Sequence, residues 1–402
     1  MVLVLSDDII EGEILPRLAV KTLKRFRCVS KMWRNIISDS KFTLLSAPKR
    51  QRLLLIYPRS SDSTPGVKSQ YFYSIDGDLK IEKLPDPHLI IDDDDDYRYG
   101  LCFGSCDGLV SFCAEFGSGV EKLVLWNPST GCCRTLDNLY QMVVASRYGF
   151  SLTGMCFDSP SKDYLLVVVA FPDEEDEVYV YVESLKKKEH QIGEMPEVVA
   201  SDISFPYDFP QGSGSGVSIG VLLNGHLHWI VERKGDQSRL IVYFEHEVSR
   251  FGELSLPQLE ESDDDDDDDG VPGNFFGLCV LHDCLCVVNG VEDLMDDYHC
   301  DVFMMRDYGN QESWGILFSV RGLIMPLNIG VPDKVLVFSS KFGKLYTYDL
   351  ETDVMMEIDC PPSGLLPKFV GGGKEIPLCM EMRRDPLLYL ESLASVHSQH
   401  WI

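Results

Sequence analysis

The chain has 402 residues, 45% hydrophobic and 10% aromatic, the composition of a globular protein with ample material for a core. Its net charge of −28 excludes nucleic acid as the main partner, because phosphates would be repelled over most of the surface. Thirteen cysteines form no even framework, and no apolar run reaches ~18 residues, so the expected setting is a reducing cytosol or nucleus without membrane contact.

The first 50 residues differ from the rest. They carry ten Lys/Arg against five Asp/Glu, and the remainder carries 26 against 59. Within this basic head Val20, Leu23, Phe26, Val29, Met32/Trp33 and Ile36 recur in steps of three and four, the period of one helical face. A unit of ~45 residues lies near the lower limit for an independent core, so the stripe calls for another protein surface.

Beyond residue 50 the period changes to two, and short β-rich runs alternate with Gly, Pro, Asp and Asn turns. A weak repeat emerges. Its outer half, a strand, a polar turn and a strand, begins near 71, 123, 178, 240, 301 and 344. Its inner half is a strand, a tight turn and a strand, as in Ser105–Phe112, Val221–Ile230 and Cys279–Val288. Asp107-Gly108 and Asn224-Gly225 suit type I′ turns, which need positive φ at both central residues. A four-stranded unit recurring at this spacing predicts a β-propeller of about six or seven blades, with a β-sandwich as the rival. The domain reading is therefore a small all-α head over 1–46, a linker or first strand over 47–70, and a large all-β domain over 71–396. Two aspartate tracts, Asp92–Asp96 and Asp263–Asp269, fall between an outer half and the next inner half; self-repulsion predicts extended, disordered loops there.

The head resembles the F-box of plant F-box proteins. The matching residues are Leu5, Asp8-Ile-Ile10, Glu13-Ile-Leu15, Arg17-Leu18, Val20-Lys21 and, most specifically, Leu23-Lys-Arg-Phe-Arg-Cys-Val-Ser-Lys-Met-Trp33, followed by Ile36-Ile37 and Phe42. The body is similar to the F-box-associated, kelch-like propeller of the same group. It shares Leu125-Trp-Asn-Pro-Ser-Thr-Gly131, Tyr148-Gly-Phe150, Asn224-Gly-x-Leu-His-Trp229, Tyr308-Gly-x-x-Glu-Ser-Trp314, Leu345-Tyr-x-Tyr-Asp-Leu-Glu-Thr352 and Glu391-Ser-Leu393. The self-incompatibility F-box receptors of flowers belong to this broad group. The resemblance implies a non-catalytic substrate receptor of an SCF-type cullin–RING ubiquitin ligase: the F-box docks on a Skp-type adaptor and the propeller binds the protein to be ubiquitinated. The departures are Ser6 and Ala19, where the family usually has proline, Gly12, which looks inserted, and Pro16 inside the first helix.

On this reading the adaptor-binding set is drawn from Leu5, Ile9, Ile10, Ile14, Leu15, Leu18, Leu23, Phe26, Val29, Trp33 and Ile36, part of which holds the head together. Lys21, Lys24, Arg25 and Arg34 could meet an acidic adaptor. The acidic tracts would steer a basic target toward the propeller, and Tyr97 and Tyr99 beside the first tract are the weak candidates for touching it.

No cofactor is expected. Gly104-Ser-Cys-Asp-Gly108 formally fits a cysteine nucleophile elbow, but its context is strand–turn–strand instead of strand–turn–helix. His226 and His228 share one side of a strand without further ligands at metal-binding spacing, and Cys284-x-Cys286 is short of a CxxC pair. Trp126, Trp229 and Trp314 are expected in the core. Two other classes stay open: a propeller scaffold or decoy whose degenerate F-box has left the ligase, and a propeller enzyme with its site in the central channel.

Overall fold

Most of the β-rich runs fold back on a neighbour through a short turn, and the resulting pairs assemble into sheets that are antiparallel apart from one parallel edge, β12 on β8. The computed structural model describes residues 6, 9–18, 20–38, 42, 51–58, 70–84, 87, 97–116, 121–136, 149–172, 178–186, 203–210, 217–236, 238–258, 274–292, 298–322, 324–331, 334–339, 344–359, 368–371, 374–377, 387–392 and 396. They form a helical head and a ring of six blades. Both aspartate tracts lie outside the described residues.

Blade 1 contains β1 (Gln51–Pro58), β2 (Gln70–Ile75) and β3 (Ile81–Leu84). Blade 2 is β4 (Tyr97–Cys106), β5 (Leu109–Phe116), β6 (Glu121–Trp126) and β7 (Cys133–Leu136). Blade 3 has β8 (Gly149–Asp158), β9 (Asp163–Pro172) and β10 (Tyr179–Ser184). The chain then supplies β11 (Tyr207–Asp208), β12 (Val217–Ile219) and β13 (Val221–Leu223) before β14 (His226–Arg233), β15 (Arg239–Glu245) and β16 (Arg250–Leu254) of blade 4. Blade 5 is β17 (Asn274–Leu281), β18 (Cys284–Glu292), β19 (Tyr298–Met305) and β20 (Trp314–Arg321). Blade 6 is β21 (Met325–Val331), β22 (Lys334–Ser339), β23 (Lys344–Asp349) and β24 (Val354–Glu357). A separate hairpin, β25 (Lys368–Gly371) and β26 (Lys374–Pro377), precedes β27 (Leu387–Leu390).

β27 closes the ring. It pairs with β1, Leu54 facing Leu387 and Gln51 facing Leu390, so blade 1 takes its inner strand from the far end of the chain. The stretch 47–70 thus contains a propeller strand. The six positions at which the outer repeat begins fall at or beside the starts of β2, β6, β10, β15, β19 and β23, the third strand of every blade.

The core is divided into six clusters, one between each pair of neighbouring blades. Leu166 and Val168 of β9 pack toward blade 2, and Val167 and Val169 of the same strand toward blade 4. Leu53 and Leu55 of β1 likewise face blade 6, and Leu54 faces blade 2. Sheets covered on both faces bury every residue of a central strand, which is why Tyr164–Phe171 reads as one apolar run without alternation. Trp126 and Trp229 are fully buried in these clusters, and Trp314 is half-buried with its indole N–H donated to the Ser255 carbonyl.

The inner edge of blade 4 is split. β11 and β13 pair with opposite ends of β14, and β12 runs parallel to β8 of blade 3. Ile219 of β12 packs against the cluster between blades 1 and 2, so β12 reaches from blade 3 to its neighbour, blade 2. The Gly220 N–H and the Trp229 indole N–H both reach the Thr153 carbonyl, at 2.6 and 3.0 Å, tying this crossing to blade 3.

Candidate functional site

The head is built from three helical segments. Its first turn begins at Ser6, whose carbonyl accepts from the Ile9 and Ile10 N–H groups. α1 (Ile10–Ile14) is a single π-helical turn, in which Leu15 N–H reaches back five residues to the Ile10 carbonyl. Gly12, the residue that looks inserted, sits inside it, and a π turn is how a helix absorbs one extra residue without rotating the next turn out of place. A 3-10 turn, Leu15–Arg17, closes the segment, with Leu18 N–H donated to Leu15 and Leu18 itself extended. Pro16 falls at the start of that turn, where an absent N–H costs little.

α2 (Val20–Phe26) and α3 (Lys31–Ser38) come next, joined by a tight turn. Ser30 caps α3, its hydroxyl accepting from the Trp33 N–H at 3.0 Å. The Arg34 guanidinium donates to the Arg27 carbonyl and fastens the helix pair across the turn.

Leu15, Leu23, Ile37 and Phe42 make the core of the head. Ile10, Leu18, Phe26, Trp33 and Ile36 pack around it half-buried, with the Phe26 and Trp33 rings 5.0 Å apart. Ile14 is also half-buried. Ile9 and Val29 stand out, 45% and 62% exposed, with Met32 beside them. The stripe step written Met32/Trp33 therefore resolves to Trp33. Of the eleven expected residues, Leu15 and Leu23 are committed to the interior, eight are half-buried or exposed, and Leu5 lies outside the described residues. Ile37 and Phe42 carry as much of the core as any of them, although only their place in the family pattern singles them out.

The basic side of α2 turns toward its own propeller. Lys24 Nζ donates to the Thr130 and Ser129 carbonyls at 3.0 and 3.4 Å, and Lys21 Nζ lies 3.5 Å from Glu82. These two lysines, expected to meet the adaptor, are thus engaged within the chain. Nothing local in the sequence signals it, since their partners lie about 60 to more than 100 residues away. Burial alone would raise the Glu82 carboxyl; Lys21, Lys80 and Arg52 outweigh it and hold it below the usual carboxylate range.

The remaining candidates fall in the propeller. Tyr97 and Tyr99 lie in β4, opposite Phe116 and Ala114, and their side chains are not among those described. The Gly104–Gly108 segment is the β4–β5 hairpin with Cys106 buried, which places no thiol at a reactive elbow. His228 is fully buried: its Nδ1–H faces the Val221 carbonyl at 3.2 Å, and Nε2 accepts from the Tyr308 hydroxyl at 2.7 Å. Burial pushes its pKa down to about 4. Both β4–β5 and β13–β14 turns have positive φ at their two central residues, Asp107 and Gly108, Asn224 and Gly225. Among the described residues no group of three or more His, Cys, Asp or Glu side chains could hold a metal ion, and no helix is long and apolar enough to cross a membrane.

Comparison with known proteins agrees with this division. Residues 67–356 match the F-box associated beta propeller domain, and residues 12–45 match the F-box domain. The chain is 27% identical over 382 residues to F-box protein CPR1 of Arabidopsis thaliana, covering 88% of this chain and 85% of that protein. It is 26% identical over 333 residues to an F-box/kelch-repeat protein of the same plant, covering 77% and 78%.

Proposed function

Because this chain belongs to the F-box proteins that carry an F-box associated beta propeller domain, we propose that it is the target-recognition subunit of an SCF-type cullin–RING ubiquitin ligase. The observation that carries this reading is the head itself. Four residues close a minimal core, and a rim of half-buried apolar side chains, Ile10, Leu18, Phe26, Trp33 and Ile36, with Val29 and Ile9 projecting, is left for another surface. An apolar helical rim of this kind suits docking into a Skp-type adaptor by side-chain insertion. No bond is made or broken by this chain. It holds the target where a ubiquitin-charged enzyme elsewhere in the complex can reach its lysines.

The head sits at the end of the ring that carries the outer hairpin turns Asp76–Lys80 of blade 1 and Asn127–Cys132 of blade 2. The target is then met by the connections that leave the blades at the other end. In chain order, the two aspartate tracts fall in such connections, between β3 and β4 and between β16 and β17. Their charge favours a basic target and raises its capture rate more than its affinity.

The test is co-purification of the full chain with a Skp-type adaptor. Replacing Leu18 and Trp33 together by polar residues should abolish it while the propeller stays folded. Undiminished co-purification would remove the rim from the adaptor site; absence of binding by the unaltered chain would favour a decoy or scaffold outside the ligase.

A further inference from the structure

Ring closure and head docking meet at two neighbouring residues. Glu391 takes the Arg52 guanidinium at 3.2 Å, and Arg52 also lies 3.6 Å from Glu82, the residue that faces Lys21 of the head. Ser392, next along the chain, donates its hydroxyl to the Asp107 carbonyl at 2.6 Å and its N–H to Ser129 Oγ at 3.3 Å, and its carbonyl accepts from the Asn127 amide at 3.2 Å. Asn127 also builds the turn from within: its Oδ1 accepts from the Ser129 and Thr130 N–H groups. The carbonyls of those same two residues receive Lys24. Lys24 is therefore one residue, Ser129, removed from the segment that seals the ring, and Lys21 two residues, Glu82 and Arg52.

We infer that Lys21 and Lys24 are positioning residues that fix the orientation of the head on the propeller by gripping the two sides of its closure seam. Lys21 and Lys24 are three apart, hence on one face of α2. An exposed lysine contact is individually weak and leaves a single pivot. Two contacts on one short helix, landing on elements that Glu391 and Ser392 lock together, remove the rotation a single contact would leave. Burial opposes the Arg52 charge, and Glu391 together with Asp76 offsets that penalty, so the seat under Lys21 is itself rigidly paired. The consequence for ubiquitin transfer rests on the ligase reading: a fixed head would hold a bound target at a constant distance from the adaptor. The docking does not depend on that reading.

The experiment measures the distance distribution between spectroscopic labels, carried on non-natural amino acids at Asn35 in the head and Val248 in blade 4, in the full chain without adaptor. The unaltered chain should give one narrow distribution. Lys21→Glu with Lys24→Glu should lose that single peak and broaden it, with the melting temperature of the propeller unchanged. Lys21→Arg with Lys24→Arg, which keeps two long cations, should stay narrow. Glu391→Gln, at a residue that no described head side chain touches, should broaden it as well. A narrow distribution persisting in the double charge reversal, or a broad one already in the unaltered chain, overturns the inference. Because no adaptor is present, failure of the ligase reading leaves this measurement intact, and the converse also holds.

Discussion

Leu23 and Val29 belong to one apolar stripe, yet the fold gives them opposite tasks. Leu23 is fully buried in the head, and Val29 is 62% exposed at its edge. Leu23→Ala should cost roughly 2–5 kcal/mol and abolish adaptor binding by unfolding the head. Val29→Asp should change stability by no more than ~0.5 kcal/mol and weaken adaptor binding all the same. Thermal unfolding measured beside the binding assay separates the two. The stripe was legible because its period is local; which members turn inward was not, because that depends on Ile37 and Phe42 closing over them from α3 and beyond. His228 offers a second test at this scale. Its folded pKa of about 4 lies below the ordinary 6.5, so the unfolded chain binds the extra proton first. Its contribution is fully present above pH 6.5 and is lost as the pH falls toward 4, by on the order of 3 kcal/mol. His228→Gln, which cannot titrate, should flatten that part of the stability–pH profile; an unchanged slope would mean other groups set it.

Among the elements, the first helical segment looked the weakest in sequence, with Gly12 and Pro16 inside it. The π turn takes up the glycine, and the 3-10 turn takes up the proline. A methyl group at Gly12 would meet nothing within 4 Å. Gly12→Ala should therefore stabilise the head by up to ~1 kcal/mol, and Ser30→Ala, which removes the α3 cap, should destabilise it by ~1 kcal/mol; denaturant midpoints read both. A loss of stability on Gly12→Ala would show that the π turn depends on glycine. In the propeller, the third strand of every blade and the type I′ hairpins were visible from alternation and turn chemistry alone. Strand β27 was not, because its partner β1 lies more than 300 residues away; β1, which also pairs with the nearby β2, stayed undecided between linker and first strand, and the split inner edge of blade 4 depends on packing around Ile219 and Trp229 with no local signature.

At the scale of the whole molecule, one seam holds the ring shut and seats the head. Gly108 lies beneath it. Its φ of +83°, and the clash that an added Cβ would make with the Leu390 carbonyl and Ser392 Oγ, leave room only for glycine. Gly108→Ala should destabilise the propeller by more than ~1 kcal/mol and lower the protection of β1 and β27 amides against hydrogen exchange ahead of the other strands. Uniform loss of protection around the ring would mean that closure is not the weak point. The same architecture puts a basic head and a strongly acidic body in one chain, which the proposed function would assign to the ligase and to a target. Calorimetric titration of the purified full chain with a purified Skp-type adaptor shows whether the head is a working adaptor-docking unit. Saturable one-to-one binding is expected, weakened at least tenfold by Val29→Asp with unchanged thermal stability, a loss of ~1.4 kcal/mol or more. No binding by the unaltered chain, or equal binding by the Val29→Asp variant, would contradict it.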